Sequence, residues 1–137
     1  MNADSAVARR WIIDGNNVFG SRPDGWWNDR DAAARRLAQS VAEWCRTHAD
    51  DVTIVFDAPV APTTLEVAGG NLTIVESRRR GRNAADDTIA ELVAGLDDPD
   101  GAAGEVHVVT SDRGLRARLP DRAEVLGAGR FLSLIGA

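Results

Sequence analysis

The amino-acid sequence predicts a three-layer α/β fold with a central, mainly parallel sheet of five strands. Short, uniformly apolar runs such as Ile54, Val55 and Phe56 are typical of strands that are buried on both faces. These runs alternate with segments whose apolar residues recur at helical spacing. Alternation of strands and helices favours a parallel sheet that helices cover on both sides through right-handed crossovers.

Five strands are expected, at residues 7–13, 52–56, 71–76, 105–110 and 123–126. The segment after the first strand, residues 15–28, is rich in Gly, Asn, Pro and Trp and is expected to form a loop. Gly15 is expected to permit a sharp turn there, because glycine tolerates a positive φ angle. Residues 58–70 predict a second loop or lid, with room for one short helix.

Two long helices are predicted from apolar residues that recur with a period of 3.6. The first begins near Asn28 or Asp29, both good N-caps, and runs to about Thr47. The second begins near Ala85 and continues through the apolar residues Ile89, Leu92, Val93 and Leu96. Residues 113–119 predict a short helix, residues 97–104 a turn-rich linker and residues 131–135 a short last segment.

The composition indicates one domain over residues 1–137, with a loose N-terminus at residues 1–6. No apolar stretch reaches the roughly 20 residues that span a bilayer and no signal peptide is recognised, so a cytoplasmic location is expected. Cys45 is the only cysteine, which excludes an intrachain disulfide and a thiolate zinc site. The chain has no lysine, which excludes Walker A and Schiff-base chemistry.

The formal net charge is −5, which is a poor match to nucleic-acid binding by bulk charge alone. The placement of the acids is more informative, because Asp14, Asp57 and Asp112 each follow the apolar part of a predicted strand. The carboxyl ends of parallel strands lie at one edge of a sheet, so these acids are expected to meet there. Asp86 and Asp87 stand at the start of the second long helix, whose end can face the same edge.

Several carboxylates in one place repel one another, so they need a cation or some must stay protonated. Oxygen ligands without a cysteine or a suitable His pair favour Mg²⁺ or Mn²⁺ over zinc. An aspartate cluster around such ions is typical of phosphodiester hydrolysis. Asn17 and Ser111 are neutral and are expected to orient a carboxylate, a water or a phosphate oxygen.

Four short motifs, in this order, resemble the NYN domain, and in particular its YacP-like subgroup. They are Asp-Gly-Asn-Asn at 14–17, Val-Phe-Asp at 55–57, Ala-Ala-Asp-Asp at 84–87 and Thr-Ser-Asp-Arg at 110–113. The resemblance extends from the first strand to about Leu126. NYN domains belong to the PIN-like superfamily of metal-dependent ribonucleases. The resemblance therefore implies a PIN-like Rossmannoid fold and an endoribonuclease that uses Mg²⁺ or Mn²⁺.

Carried over by position, the resemblance implies six catalytic residues, which are Asp14, Asn17, Asp57, Asp86, Ser111 and Asp112. The four aspartates among them are the implied metal ligands. Asp87 is an alternative to Asp86, because a helix turns by about 100° per residue and both side chains cannot face one ion equally. Position 16 is Asn where the subgroup commonly has an aromatic residue, so any contact from that ring is missing.

The implied partner is RNA, single-stranded and either messenger RNA or RNA presented by a ribosome. Candidate phosphate contacts are Arg78, Arg79, Arg80, Arg82 and Arg113. Trp26 and Trp27 are candidates for stacking on bases, although such a pair more often packs at a helix start.

Two other functions stay open at this point. A PIN-like RNA-binding or ribosome-associated protein with little or no catalysis has the same fold, but all four acidic positions are retained here at a cost in stability. A metal-dependent phosphatase or nucleotide pyrophosphatase is the weaker alternative. The haloacid dehalogenase class needs an acid where this chain has Asn16, and a response-regulator receiver needs a lysine. A dinucleotide-binding domain needs a Gly-x-Gly-x-x-Gly turn, which residues 14–20 lack.

Overall fold

The computed structural model describes residues 9–23, 25–77, 84–96 and 105–137. Within these ranges, five strands form one parallel sheet in the spatial order β3-β2-β1-β4-β5. The strands are β1 (Arg9–Asp14), β2 (Asp51–Phe56), β3 (Leu72–Glu76), β4 (Glu105–Val109) and β5 (Ala123–Leu126). The predicted α/β class and the central five-stranded sheet are confirmed.

Helices cover both faces of the sheet, which is why its strands are continuously apolar. Ile13 packs on the face covered by α1 (Gly15–Phe19), α2 (Arg30–Cys45) and α6 (Ala128–Ile135). Ile12 packs on the opposite face, against α4 (Ala84–Gly95) and α5 (Arg113–Ala117). A short helix α3 (Pro62–Leu65) lies in the β2–β3 connection and contacts α2.

The two long helices match their predictions closely. Asp29 caps α2, because its carboxylate accepts a hydrogen bond of 3.0 Å from the backbone N–H of Ala32. The buried face of α2 includes Leu37, Val41 and Cys45, which recur at helical spacing. Ile89 and Val93 form the buried face of α4 in the same way. Helical periodicity therefore located both elements correctly.

Residues 15–28 were expected to be a loop, and that expectation is wrong. They contain α1 and a 3-10 turn, Trp26–Asn28. Val18 and Phe19 are buried in the core, which holds this turn-rich sequence in a helix. The side chains of Asn16 and Asn17 bond to backbone N–H groups of distant loops. They therefore do not compete with the backbone of α1, as Asn side chains often do.

The last segment is also longer than predicted, since α6 begins at Ala128 rather than at residue 131. Its first N–H group donates a hydrogen bond of 2.9 Å to the hydroxyl oxygen of Ser111, which lies in the β4–α5 loop. A helix start that is capped by a residue so distant in the chain leaves no signal in the local sequence.

Gly15 serves close packing rather than a positive φ angle. In the described part of the chain, the glycines with positive φ are Gly25, Gly70 and Gly136. A Cβ atom on Gly15 would lie 2.5 Å from two ring atoms of Phe56 and 2.9 Å from the carbonyl oxygen of Val55. The absence of a side chain at residue 15 therefore lets the start of α1 pack against the end of β2.

Gly15→Ala is accordingly expected to destabilise the protein by about 1–3 kcal/mol, because overpacking forces the Phe56 ring and the β2 backbone to shift. The matched control is Gly95→Ala at the end of α4, where an added Cβ meets no heavy atom within 4 Å. Urea unfolding measures both variants. Equal stability of the two variants would contradict the packing role of Gly15.

Some expectations fall outside the described residues, namely the loose N-terminus at 1–6, the linker at 97–104 and the arginines at 78–80 and 82. The division of the chain into a single domain stays a prediction. Within the described ranges, no helix combines the length and the apolar character needed to cross a membrane.

Candidate active site

Four acidic residues lie at the carboxyl-terminal edge of the sheet. Asp14 is the last residue of the central strand β1, and Asp57 and Asp112 follow its neighbours β2 and β4. Asp86 lies in the first turn of α4. Because side chains alternate along a strand, Asp14 shares the face of Ile12, which α4 and α5 cover. The strands β2 and β4 lie on opposite sides of β1, so the strand order reverses at β1. Open parallel sheets bind ligands at the carboxyl ends of the strands where this reversal occurs.

Asp14 is the most strongly perturbed acid of this group. Only 4% of its surface is exposed. Burial raises its pKa from 3.8 to about 6, although a hydrogen bond from Thr110 works in the opposite direction. The negative charges of Asp86, Asp57 and Asp112 contribute to this increase in the pKa of Asp14. The four carboxylates are therefore close enough to form one electrostatic unit.

Thr110 connects two of these acids and was missed by sequence reasoning. Its hydroxyl donates a hydrogen bond of 2.9 Å to Oδ2 of Asp14 and accepts one of 3.0 Å from the backbone N–H of Asp112. Both Thr110 and Asp14 are buried. The only sequence signal was a hydroxyl residue directly after an apolar strand, which many loops share.

Thr110→Val is expected to destabilise the protein by about 1–2 kcal/mol, since a buried hydroxyl with two partners is replaced by a methyl group. The loss of its donor should also raise the pKa of Asp14 above about 6. Denaturant unfolding at several pH values measures both effects. Thr110→Ser keeps the hydroxyl and serves as the control. If Val and Ser behave alike, the hydroxyl bridge has no energetic role.

Asp57 is held by hydrogen bonds with residues of two helices, α1 and α4. Its backbone N–H donates a hydrogen bond of 2.9 Å to the side-chain oxygen of Asn16. Burial raises the pKa of Asp57, while a hydrogen bond from the backbone N–H of Ala85 and the positive charge of Arg30 lower it. Asn16 occupies the position where the resembled subgroup commonly has an aromatic residue, and here it positions the backbone of a candidate ligand.

Asn17 and Ser111 form a second structural link at the edge of the sheet. The side-chain oxygen of Asn17 accepts a hydrogen bond of 2.8 Å from the backbone N–H of Ser111. The Ser111 hydroxyl in turn accepts the hydrogen bond from Ala128 that caps α6. Asp112 caps α5 by accepting a hydrogen bond of 3.1 Å from the N–H of Leu115. The three candidate site residues Asn17, Ser111 and Asp112 therefore also attach the helices α1, α6 and α5 to the loop that follows β4.

Asp86 and Asp87 have different surroundings. Burial raises the pKa of Asp86, and the charge of Asp112 raises it further. Asp87 instead forms an ion pair of 2.9 Å with Arg118, beyond the last turn of α5. Arg118 also lowers the pKa of Asp86. Of this pair, Asp86 is the acid whose negative charge raises the pKa of Asp14.

The basic residues are placed less completely. Arg113 is exposed in the first turn of α5, directly after Asp112, whereas Arg78, Arg79, Arg80 and Arg82 lie outside the described residues. Arg30 was not among the predicted contacts. It lines a groove at the site together with Asn16, Asp31 and Asp57.

The donor chemistry of the site suits a hard cation, but its ligand set is open. Among the described residues, no three His, Cys, Asp or Glu side chains converge closely enough to hold one ion directly. The acids do affect one another through their charges, and all their donor atoms are carboxylate oxygens.

Comparison with solved structures supports this fold. A point mutant of Rae1 (YacP) from Bacillus subtilis superposes with a TM-score of 0.73 at 23% identity, covering 93% of this chain and 75% of that one. Rae1 (YacP) itself gives 0.70 at 24% identity, covering 92% and 72%. A T5 5'-exonuclease mutant gives 0.50 at 18% identity, covering 88% and 50%. At these identities the similarity shows a common fold.

No curated protein sequence matches the chain. The model of one family, the YacP-like NYN domain, matches residues 11–129. This match extends from the middle of β1 to the start of α6 and includes all four acidic motifs. The chain therefore belongs to the YacP-like NYN domain family of nuclease-type domains.

Proposed function

We propose that this protein is a metal-dependent endoribonuclease that hydrolyses phosphodiester bonds at the edge formed by Asp14, Asp57, Asp86 and Asp112. The observation that carries the proposal is the environment of Asp14. This carboxyl is buried, has a pKa near 6 and lies within the field of three other acids. Such a group is costly to keep in a fold, so its presence at a ligand-binding edge favours a functional role.

Among the described residues, too few acids converge to surround an ion with protein ligands alone. This arrangement favours Mg²⁺ or Mn²⁺, which can keep some of their ligands as water. Mg²⁺ usually keeps several of its waters and binds through one or two carboxylates together with substrate phosphates. Asp14, Asp57, Asp86 and Asp112 are the residues that would hold the cation, either directly or through its bound waters. Once bound, it would lower the pKa of a water and neutralise charge on the phosphate.

The neutral residues of the site have positioning roles in this proposal. Thr110 holds the Asp14 carboxylate, and Asn16 holds the backbone at Asp57. The side-chain oxygen of Asn17 is engaged by Ser111, so its amide N–H₂ group is the part that can donate to a phosphate oxygen. The Ser111 hydroxyl accepts from Ala128 and keeps its own proton to donate.

RNA is the proposed substrate, in single-stranded form, because the bases and backbone of an unpaired strand are accessible to a protein surface. Three described arginines lie near the acids; Arg118 is paired with Asp87, and Arg30 and Arg113 are proposed as phosphate contacts. Arg78, Arg79, Arg80 and Arg82 are proposed as additional phosphate contacts. A cytoplasmic location and presentation of the RNA by a ribosome stay predictions.

The test is a cleavage assay on end-labelled single-stranded RNA with Mg²⁺, with Mn²⁺ and with EDTA. Internal cleavage that requires a metal supports the proposal. RNA retention without cleavage in any of the three conditions would favour the RNA-binding alternative. Release of phosphate from a mononucleotide, with intact RNA, would favour the phosphatase alternative.

A further inference from the structure

Trp27 is the most exposed large apolar side chain among the described residues, with 57% of its surface accessible. It lies in the 3-10 turn Trp26–Asn28, directly before α2. Gly25 precedes this turn with a φ of 83°, a left-handed conformation that favours glycine. This turn carries two consecutive tryptophans, Trp26 and Trp27.

The two tryptophans have different roles. Trp26 packs edge-on against the buried ring of Phe19, with ring centroids 5.8 Å apart. Trp27 meets Trp26 at 86°, with centroids 5.9 Å apart, and remains exposed. Trp26 therefore packs the turn against the core and contacts Trp27. The Trp27 ring has more than half of its surface exposed, so burial in the core does not account for it.

Arg30 joins this aromatic pair to the acidic edge. Its guanidinium carbon lies 5.4 Å from the centroid of the Trp26 ring, a cation–π distance. Its charge also lowers the pKa of Asp57. The groove beside Asp57 is lined by Arg30, Asn16 and Phe19. Arg30 thus lines the groove beside Asp57 and lies over the Trp26 ring, which in turn contacts the exposed ring of Trp27.

We infer that Trp27 is a base-stacking platform for single-stranded RNA and that Arg30 holds a phosphate between this platform and the acidic edge. The inference rests on the proposed function and names the part of that site that grips a nucleotide away from the scissile bond. With a net charge of −5 the protein gains little affinity from bulk charge, so a stacking contact is the kind of interaction it needs.

Binding is measured without cleavage, in EDTA, by fluorescence anisotropy of a short fluorescein-labelled single-stranded RNA. Trp27→Ala is expected to weaken binding about tenfold, and Trp27→Phe to restore most of the affinity, because a base stacks on either ring. The matched control is Leu134→Ala, which removes another exposed apolar side chain, 52% accessible, on α6. It is expected to bind like the wild type.

Two further readouts separate stacking from a change in folding or charge. An abasic residue scanned along the RNA should weaken binding to the wild type at one position and have little additional effect on Trp27→Ala. Arg30→Gln should reduce the slope of log Kd against log salt by about one, whereas Trp27→Ala should leave it unchanged. Unaltered affinity in Trp27→Ala, or an abasic scan without any effect, would overturn the inference.

These outcomes are distinct from those of the cleavage assay. Metal-dependent cleavage together with unaltered RNA affinity in Trp27→Ala rejects the platform and leaves the nuclease. Trp27-dependent binding without cleavage rejects the nuclease and leaves the platform.

Discussion

Asp14→Asn is expected to lower the rate of metal-dependent RNA cleavage by on the order of 10³-fold or more, as is usual when a central catalytic group is removed. Asparagine has the shape of aspartate and keeps an oxygen that can accept the hydrogen bond from Thr110. The substitution therefore removes a negative charge from the middle of the acidic group while the β1–β4 contact is preserved. Affinity for RNA in EDTA should be unaffected or slightly improved.

The control for this variant is Asp51→Asn, the same chemical change at an exposed acid that begins β2 at the opposite edge of the sheet. Its cleavage rate should equal that of the wild type. Comparable rates for the two variants would reject Asp14 as the centre of the site. The measurement is the initial rate of internal cleavage at saturating Mg²⁺ and at saturating Mn²⁺.

The location of the acids could be predicted from the sequence because it depends on short-range patterns. Asp14, Asp57 and Asp112 each follow a run of apolar residues, and a parallel sheet brings the ends of such runs together. Asp86 lies at a helix start that helical periodicity had located. Topology then places all four at one edge without any need to know side-chain contacts.

The contacts that hold the acids in place could not be predicted. Thr110, Asn16 and the Ser111–Ala128 cap act through hydrogen bonds between residues that are distant in the chain. Nothing in the local sequence distinguishes an Asn that bonds a neighbouring strand from an Asn that forms a turn. The same ambiguity led to the wrong expectation of a loop over residues 15–28, where tertiary packing of Val18 and Phe19 stabilises α1.

Gly15 and Arg30 illustrate two further limits. Gly15 was expected to permit a sharp turn through a positive φ angle, but its observed role is to leave room for the Phe56 ring, which no local sequence pattern reveals. The role of Arg30 could not be recognised from the sequence, because the other arginines of this fully described helix are solvent-exposed and have no such contact with the acids of the site. Only the three-dimensional position of α2 beside the end of β2 brings its charge to Asp57.

The stability of the protein is expected to fall as the pH rises from about 4 to about 7, and Asp14→Asn is expected to reduce this fall. The pKa of Asp14 is about 6 in the folded state and 3.8 ordinarily, so the folded state holds the proton more tightly than the unfolded chain does. Ionisation therefore disfavours the folded state by an amount that begins near the lower value and is complete above the higher one. A difference of about two pKa units corresponds to about 3 kcal/mol.

In EDTA near pH 8, Asp14→Asn should therefore be more stable than the wild type by about 1–3 kcal/mol, and near pH 4 the two should be equal.

Mg²⁺ or Mn²⁺ at about 100 times its Kd should raise the stability of the wild type by about 2.7 kcal/mol, because the ion binds only the folded state. Asp14→Asn should gain much less from the metal, and Asp51→Asn should respond as the wild type does. Thermal unfolding across this pH range, with and without metal, measures all three proteins. A wild type that gains nothing from either metal, together with an Asp14→Asn variant no more stable in EDTA, would show that the acids neither strain the fold nor share a cation. In the proposed nuclease, a bound cation would relieve the repulsion that the ionised Asp14 meets in the folded protein, so metal binding and catalysis would both depend on Asp14.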